Sequence, residues 1–434
     1  MSPLPSYQPR SAWAMASMLT WLSLINFLDK IVLGMVAVPL MADLKIPPSE
    51  FGLIASSFFW LFSLSTVLVG FLSNRIATRW LLLAMGLSWA LLQVPLALAG
   101  SALTILLCRM LLGAAEGPAF PISVHALYKW FPDHKRNLPV AVVNQGATAG
   151  LLLAGLTIPL VTMHWGWRAS FAILAAIGAA WSIMWLCVGR EGPLTGTPGQ
   201  RPGTATAISA RLPYRRIFRD PTVLACLTLG FCAYWALALG LTWLPAYLEQ
   251  GLGFDPITTG RWYAVIVASS MPVTLVLSWL SQRMLRAGAS SRLARGVIIS
   301  VAALAGGGVY LVIASVALPP VPRTLLIAVA ACLPPVAFAL TPAMLAQIVP
   351  EAQRGSVLSI HTALVSLAGS LAPAVVGQLI QRHGMSGGFE VGFAINALLL
   401  VAAGVIGLCW LNPERSATAL AAATHATAGA RSPA

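Results

Sequence analysis

Gly70-Phe71-Leu72-Ser73-Asn74-Arg75 closes an apolar run of membrane-spanning length, and its core comes back later in the chain as Leu280-Ser281-Gln282-Arg283. A second pair repeats in the same way, Pro132-Asp133-x-x-Arg136 and Pro350-Glu351-x-x-Arg354. Working outward from these copies, and allowing about 20 apolar residues per crossing, the chain divides into twelve spans. They fall at 13–40, 51–73, 80–99, 102–128, 138–162, 167–188, 221–248, 258–284, 293–316, 324–348, 355–380 and 388–411. The copied loops follow spans 2 and 8, and spans 4 and 10. The expectation is therefore an all-α membrane protein, with two parallel repeats of six transmembrane helices at 13–188 and 221–411. Residues 1–12 form an N-terminal tail. Residues 189–220, rich in Pro, Gly, Thr and Arg, read as a linker between the bundles, and the Ala/Thr-rich stretch 412–434 reads as a disordered tail.

Composition agrees. Of 434 residues, 58% are hydrophobic and only 9% charged, against about 25% charged in soluble domains. The first run carries Asp29 and Lys30, exceeds the length of a signal-peptide core and lacks a cleavage site, so no cleavable leader is expected. The net charge of +14 is unevenly placed. Nineteen Lys and Arg fall on the side holding both termini, five on the other side and two within the membrane. That is the positive-inside bias. It puts both termini in the cytoplasm, and argues for a lipid bilayer rather than nucleic acid as the charge's partner; the membrane expected is a plasma membrane, the inner membrane of a bacterium. The six cysteines all lie in apolar runs without metal-ligand spacing, and no Gly-rich phosphate loop with its lysine occurs. Neither cofactor nor metal is expected. No paired His/Asp/Glu metal spacing or Ser/His constellation occurs, so an enzyme is not expected.

Four ionisable residues interrupt the apolar spans: Asp29, Lys30, Arg109 and Glu116. A charge at the bilayer centre costs about 2.5–3.5 kcal/mol even on the lenient insertion scale. Two of the four carry positive charge and two can bind or release a proton, an inventory suited to moving an anion together with protons. Arg109 and Glu116 are seven apart, so they share nearly one helix face, about 10 Å apart along the axis. Asn26 shares a face with Asp29 and Lys30. Asn144 and Gln145 on span 5 are further cavity candidates, because amides at this depth need partners.

These residues also carry a resemblance. Gly70-Phe71-Leu72-Ser73-Asn74-Arg75 with Arg79 resembles the loop 2–3 motif of the major facilitator superfamily, although the family usually has Asp where Asn74 stands, and the repeat copy has Gln282. Asn26-Phe27-Leu28-Asp29-Lys30, Arg109-x-x-Leu112-Gly113-x-x-Glu116-Gly117-Pro118, Trp130-Phe131-Pro132, Gly166-Trp167-Arg168 and Trp243-Leu244-Pro245-x-Tyr247-Leu248 together resemble the anion:cation symporter family. That family includes galactonate, hexuronate and phthalate permeases. The resemblance implies substrate cations at Lys30 and Arg109, proton-handling carboxylates at Asp29 and Glu116, and gating or loop roles for Asn74, Arg75, Arg79, Arg136, Arg283 and Arg354. The family usually has Arg at the Lys30 position, and two Asn on span 11 where this chain has Thr362 and Ser366, which are therefore the expected substrate-binding residues of that span.

The resemblance implies an importer of a small organic carboxylate, a sugar acid or an aromatic or aliphatic acid, driven by proton symport with alternating access. The expected partners are the anion and protons, and the carrier is expected to be a monomer. A drug/proton antiporter of the same fold is the alternative, although its usual Gly-Pro pair in span 5 is missing, since Leu151 follows Gly150. Individual roles stay open. Arg109 serves either the anion or the fold, Asp29 and Lys30 either work or neutralise each other, and Glu116 either binds protons or simply pairs with Arg109. His125 reads as interfacial; His361 lines a cavity or packs between helices. Trp21, Trp60 and Tyr234 either stack on substrate or anchor the helices.

Overall fold

The computed structural model describes residues 7–73, 75–132, 135–194, 212–350 and 353–429, with the side chains of Phe71, Asn137 and 423–429 left aside. Asn74 therefore lies outside the described residues. The helices are α1 (Pro9–Met35), α2 (Ala37–Leu44), α3 (Pro48–Trp60), α4 (Phe62–Leu72), α5 (Thr78–Ala97), α6 (Ala102–Glu116), α7 (Ala119–Tyr128), α8 (Asn137–Trp165) and α9 (Trp167–Val188). They continue as α10 (Tyr214–Ile217), α11 (Pro221–Thr242), α12 (Leu244–Ala246), α13 (Pro256–Arg286), α14 (Ile298–Ser315), α15 (Pro320–Cys332), α16 (Val336–Ile348), α17 (Arg354–Trp410) and α18 (Pro413–Gly429).

Among the described residues, eleven helical stretches are long and apolar enough to cross a membrane. The last, α17, has 57 residues. At about 1.5 Å per residue it would run more than twice the hydrocarbon core of about 30 Å. It breaks at Gly384, whose φ of 76° lies in the left-handed region, and so supplies two crossings. The total is the expected twelve. Two other spans are broken by proline. Pro118 lacks an N–H and ends span 4's first half directly after Glu116 and Gly117, and Pro334-Pro335 divides span 10 between α15 and α16.

The chain forms two compact units. The first is Met1–Thr204 with Leu241–Ala264 and Pro373–Gln381; the second is Ala205–Gly240, Val265–Ala372 and Arg382–Ala434. Packing thus groups two segments of the later half of the chain with the first unit, across the boundaries 13–188 and 221–411 drawn from helix order. Glycines permit it. A methyl on Gly34 would meet the Leu241 carbonyl, one on Gly52 the Pro373 carbonyl, one on Gly377 the Pro48 carbonyl, and one on Gly260 the Gly155 carbonyl. Backbones this close need residues without Cβ. Trp243, fully buried, closes the seam by donating from Nε1 to the Pro373 carbonyl at 2.9 Å and by packing edge-on against Phe51.

Two further contacts in the first unit position the site. Gly146 and Gly150 of α8 lie against the Thr20 and Leu24 carbonyls of α1, so the Gly-x-x-x-Gly stretch is a packing face. Gly113 and Gly117 lie against the Phe58 and Phe62 carbonyls of the span-2 helices α3 and α4. Leu91, Leu98 and Leu103 point outward, more than three-fifths exposed, as a lipid-facing surface requires.

The expected tail boundaries need correction. Helix α1 begins at Pro9, inside the stretch read as N-terminal tail, and residues 413–429, read as disordered, form α18. Polarity suggested disorder, but alanine favours helix, and α18 has specific partners in the second unit. Glu414 accepts from the backbone N–H groups of Ser291 and Arg292, Ser416 donates to Asp220 at 2.9 Å, and Leu420 is buried.

Gly260→Ala is expected to force the seam apart and destabilise the protein by about 1–3 kcal/mol. A lower thermal midpoint of the purified variant in detergent would record it.

Candidate functional site

The site is built on α1 and the span-4 helix α6. Asn26 sits at its centre. Its Nδ2 donates to Glu116 Oε2 at 2.8 Å, and its Oδ1 accepts from Lys30 Nζ at 2.6 Å. Lys30 Nζ stands 3.9 Å from the same Glu116 oxygen. One level along, Arg109 donates from Nη1 to the Asp29 backbone carbonyl at 2.9 Å. The pairings 26 with 116 and 29 with 109 run in opposite chain directions, as the antiparallel course of spans 1 and 4 demands.

Aromatic rings flank both cations. Lys30 Nζ lies 4.4 Å from the Phe27 ring centre and 5.4 Å from that of Phe62, and the Arg109 guanidinium lies 4.6 Å from the Phe58 ring. Such faces attract cations, the more so away from water. Gly113 makes the Arg109 contact possible, because it lets α6 settle on the Phe58 backbone one turn away.

Several polar atoms here are buried without a hydrogen-bond partner: Asp29 Oδ1, Glu116 Oε1, Arg109 Nε and both side-chain atoms of Gln93. Gln93, on α5 and 1% exposed, faces Asp29. Its amide nevertheless forms no hydrogen bond of standard geometry there. Unsatisfied buried groups of this kind are costly and cluster at working sites. Lys30 differs from its neighbours in access: its side chain is 11% exposed and that of Glu116 0%, and Asp29 and Arg109 are likewise buried.

Five of the predicted residues, Asn26, Asp29, Lys30, Arg109 and Glu116, thus come together. The internal pairings differ from the simple alternatives. Lys30 turns to Asn26 and Glu116 rather than neutralising Asp29, and Arg109 bonds a backbone carbonyl rather than Glu116. Asn144 and Gln145 are exposed on α8, outside this network. Thr362 and Ser366 belong to the second unit, where each hydroxyl donates to its own helix backbone. His361 there contacts the Cys226 carbonyl, a helix-packing contact, and Tyr234 packs edge-on against Phe338. Gln93, Phe58 and Phe62 carry no mark in the sequence, and Phe27 stands there only as part of a motif. A lone amide in the apolar span 3 was the available signal for Gln93; ordinary membrane aromatics offered none.

A second polar cluster lies where the spans of the first unit end near the linker. Glu191 accepts from Lys129 Nζ at 2.6 Å, from Thr78 Oγ1 at 2.9 Å and from the Arg79 backbone N–H at 2.7 Å. It therefore places an anion at the N-terminus of α5, where the helix dipole favours one. Burial raises the Glu191 pKa, but the hydrogen bonds from Lys129, the Arg79 N–H and Thr78 outweigh it, and the carboxyl titrates below its usual range. Arg79 also reaches the Leu186 carbonyl, and Arg136 bonds the Phe131 and Tyr128 carbonyls. Arg75 is exposed. In the second unit Arg283 lies over Trp279, and Arg354 lines a cavity with Arg295, Gln347 and Glu414. Glu191 was visible in sequence as an acid within an arginine-rich stretch, yet only folding brings it to α5. On the opposite face, Asp43 accepts from Arg168 at 2.6 Å and from the Trp167 indole at 3.2 Å, which accounts for Gly166-Trp167-Arg168.

Residues 19–333 match the family model of the Major Facilitator Superfamily. The chain belongs to that superfamily. Among relatives, the probable sulfoacetate transporter SauU of Cupriavidus necator is 25% identical over 402 residues, covering 90% of this chain and 91% of that protein. The hexuronate transporter of Bacillus subtilis is 28% identical over 260 residues, covering 59% of this chain and 58% of the other. Two solved structures share the superfamily fold. A bacterial homolog of the human lysosomal transporter Spinster, in an inward-facing and unoccupied conformation, has a TM-score of 0.76 at 17% identity, covering 94% of this chain and 98% of that one. The D-xylose-proton symporter has a TM-score of 0.73 at 16% identity, covering 95% and 99%. The named relatives are anion transporters, in line with the resemblance drawn from the motifs.

Gly113→Ala is expected to lift this superfamily member's α6 off Phe58, lowering the thermal midpoint by the equivalent of about 1–3 kcal/mol. Glu191→Gln is expected to cost about 1 kcal/mol at neutral pH, since the pair is partly exposed. Because folding lowers the Glu191 pKa, that contribution is present above the unfolded value, about 4.3. It disappears as pH falls through the folded value. Melting curves of wild type and Glu191→Gln should therefore stay apart from pH 7 to about pH 5 and converge at more acid pH.

Proposed function

We propose that this chain is a secondary transporter that takes up a small organic acid anion in symport with protons, by alternating access. The observation that carries the reading is the accessibility of Lys30 in an otherwise sealed group of charges. An ammonium has three donors; Asn26 takes one, and Lys30 keeps donors for an incoming carboxylate or sulfonate. Arg109, engaged with the Asp29 carbonyl and stacked on Phe58, supports the site electrostatically and holds α6 to α1. Sulfoacetate and hexuronate, carried by two relatives, bracket the substrate class. The apolar rings beside Lys30 favour a small acid of limited polarity.

The proton step follows from charge. An anion arriving at Lys30 brings negative charge close to Glu116. A proton on Glu116, on Asp29 or on both removes that repulsion and lowers the cost of closing a dry cavity. Release of the anion on the far side lets the carboxyl groups ionise again. With two protons per monoanion, inward movement carries one positive charge and gains about 2.3 kcal/mol per 100 mV. The two six-helix bundles, joined by the stretch 189–220, are the bodies that rock, in a bacterial inner membrane with both termini in the cytoplasm, and one copy suffices. The arginines at 75, 79, 136, 283 and 354 serve the cytoplasmic gates.

Proteoliposomes test this directly. Uptake of labelled sulfoacetate, a hexuronate and an aromatic acid should be driven by an inward proton gradient for at least one of them. Lys30→Gln should weaken anion binding at least tenfold, as loss of a hydrogen bond to a charged group implies. Glu116→Gln should abolish gradient-driven accumulation while sparing counterflow. If Glu116→Gln still concentrates substrate, the coupling role is wrong; if neutral solutes compete equally, the anion assignment is wrong.

A further inference from the structure

The stretch before α11 and the C-terminal helix α18 flank an open cavity of about 420 Å³ in the second unit. Arg215, Arg216 and Arg219 line it, with Pro213, Ala419 and Leu420 as the apolar part of the wall. All three arginines are exposed, and among the described residues no carboxylate lies within ion-pair distance of them. The one acidic residue in the lining, Asp220, is turned to other work: it accepts from the Thr222 and Val223 N–H groups and from the Ser416 hydroxyl.

The walls are fixed. Leu212 exchanges two hydrogen bonds with the Gln353 side chain, at 2.8 and 2.9 Å, and the Tyr214 hydroxyl meets that of Ser356 at 2.7 Å. Ile217 is fully buried beneath the arginine turn. On the other side, Ser416 ties α18 to Asp220 and Thr222. The cavity also sits at a defined depth. Arg219 precedes the first residue of a membrane span, Pro221, by two positions, and Thr222 Oγ1 donates to the carbonyl of Trp410, the last residue of the final span. Exposed Tyr214 and Trp410 occupy this same level, where amphipathic aromatics mark the membrane–water boundary.

Three permanently charged guanidinium groups stand on a pinned turn next to a membrane span, with no carboxylate in ion-pair distance among the described residues, and such groups suit phosphate. We propose that this cavity binds a phosphate group, supplied by the headgroup of an anionic lipid or by free phosphate. Pro213 and Leu420 offer apolar contact to the glycerol end of a lipid, which free phosphate lacks. Occupancy would cross-link the start of span 7 to α18 through the bound anion. The site is independent of the transport site in the first unit.

The test uses the full chain in neutral detergent, stripped of lipid. Native mass spectrometry and thermal midpoints are followed during titration with dioleoyl phosphatidylglycerol, dioleoyl phosphatidylcholine or inorganic phosphate. Phosphatidylglycerol should bind and stabilise the wild type. Arg215→Gln/Arg216→Gln/Arg219→Gln should weaken it about a hundredfold, roughly fivefold per arginine. Ala419→Glu, which leaves the arginines and places a carboxylate among them, should do likewise and guards against misfolding of the triple variant. Stabilisation by phosphatidylglycerol alone assigns the lipid as the source. Stabilisation by inorganic phosphate that also displaces the lipid assigns the free ion. Equal retention of phosphatidylglycerol by wild type and both variants, or no binding of either probe, overturns the proposal.

Discussion

Asn26 is the residue on which the charged interior depends. Its amide reaches two ways, donating a hydrogen bond to Glu116 and accepting one from Lys30. Without it, an ammonium and a carboxyl would face each other across 3.9 Å with most of their hydrogen-bonding capacity unmet. The desolvation cost of a buried ion pair is repaid only when further hydrogen bonds complete it. A neutral amide does this without adding charge. It also adapts to both protonation states of Glu116, because that carboxyl accepts from Nδ2 whether or not its other oxygen carries a proton.

Close backbone packing holds this arrangement in register. Gly113 and Gly117 seat α6 on the span-2 helices, and Gly146 and Gly150 seat α8 on α1. In a membrane no hydrophobic gain separates helix–helix from helix–lipid contact, so association rests on van der Waals fit, which small residues improve. The charged residues are therefore positioned by the glycines of their own and neighbouring helices. Gly113 shows the link: its missing side chain is what brings the Phe58 ring under Arg109.

The polar cluster around Glu191 follows the same logic at the membrane boundary. The superfamily's loop 2–3 motif usually carries Asp where this chain has Asn74. Here a carboxylate from beyond span 6 binds Lys129, Thr78 and the first turn of α5. Charge is thus available at that end of the bundle despite the Asn. Helix α18 extends the principle to the second unit, where Glu414 and Ser416 meet the Ser291 and Arg292 backbone N–H groups and Asp220 at the starts of two membrane spans.

By itself the sequence determined the number of crossings, the repeat, the family and the identity of the buried charges. Each of these is local, written in apolar run length, in copied loops and in ionisable residues where lipid forbids them. Asn26, Asp29, Lys30, Arg109 and Glu116 were legible for that reason. Tertiary structure alone decided who pairs with whom: Lys30 with Asn26 rather than Asp29, Arg109 with a backbone carbonyl rather than Glu116, and Gln93 beside Asp29. It also decided that the C-terminal stretch is helical and docked, and that Glu191 caps α5. Those choices depend on the rotation and approach of helices distant in sequence, set by packing at glycines and aromatics whose composition looks the same on every face.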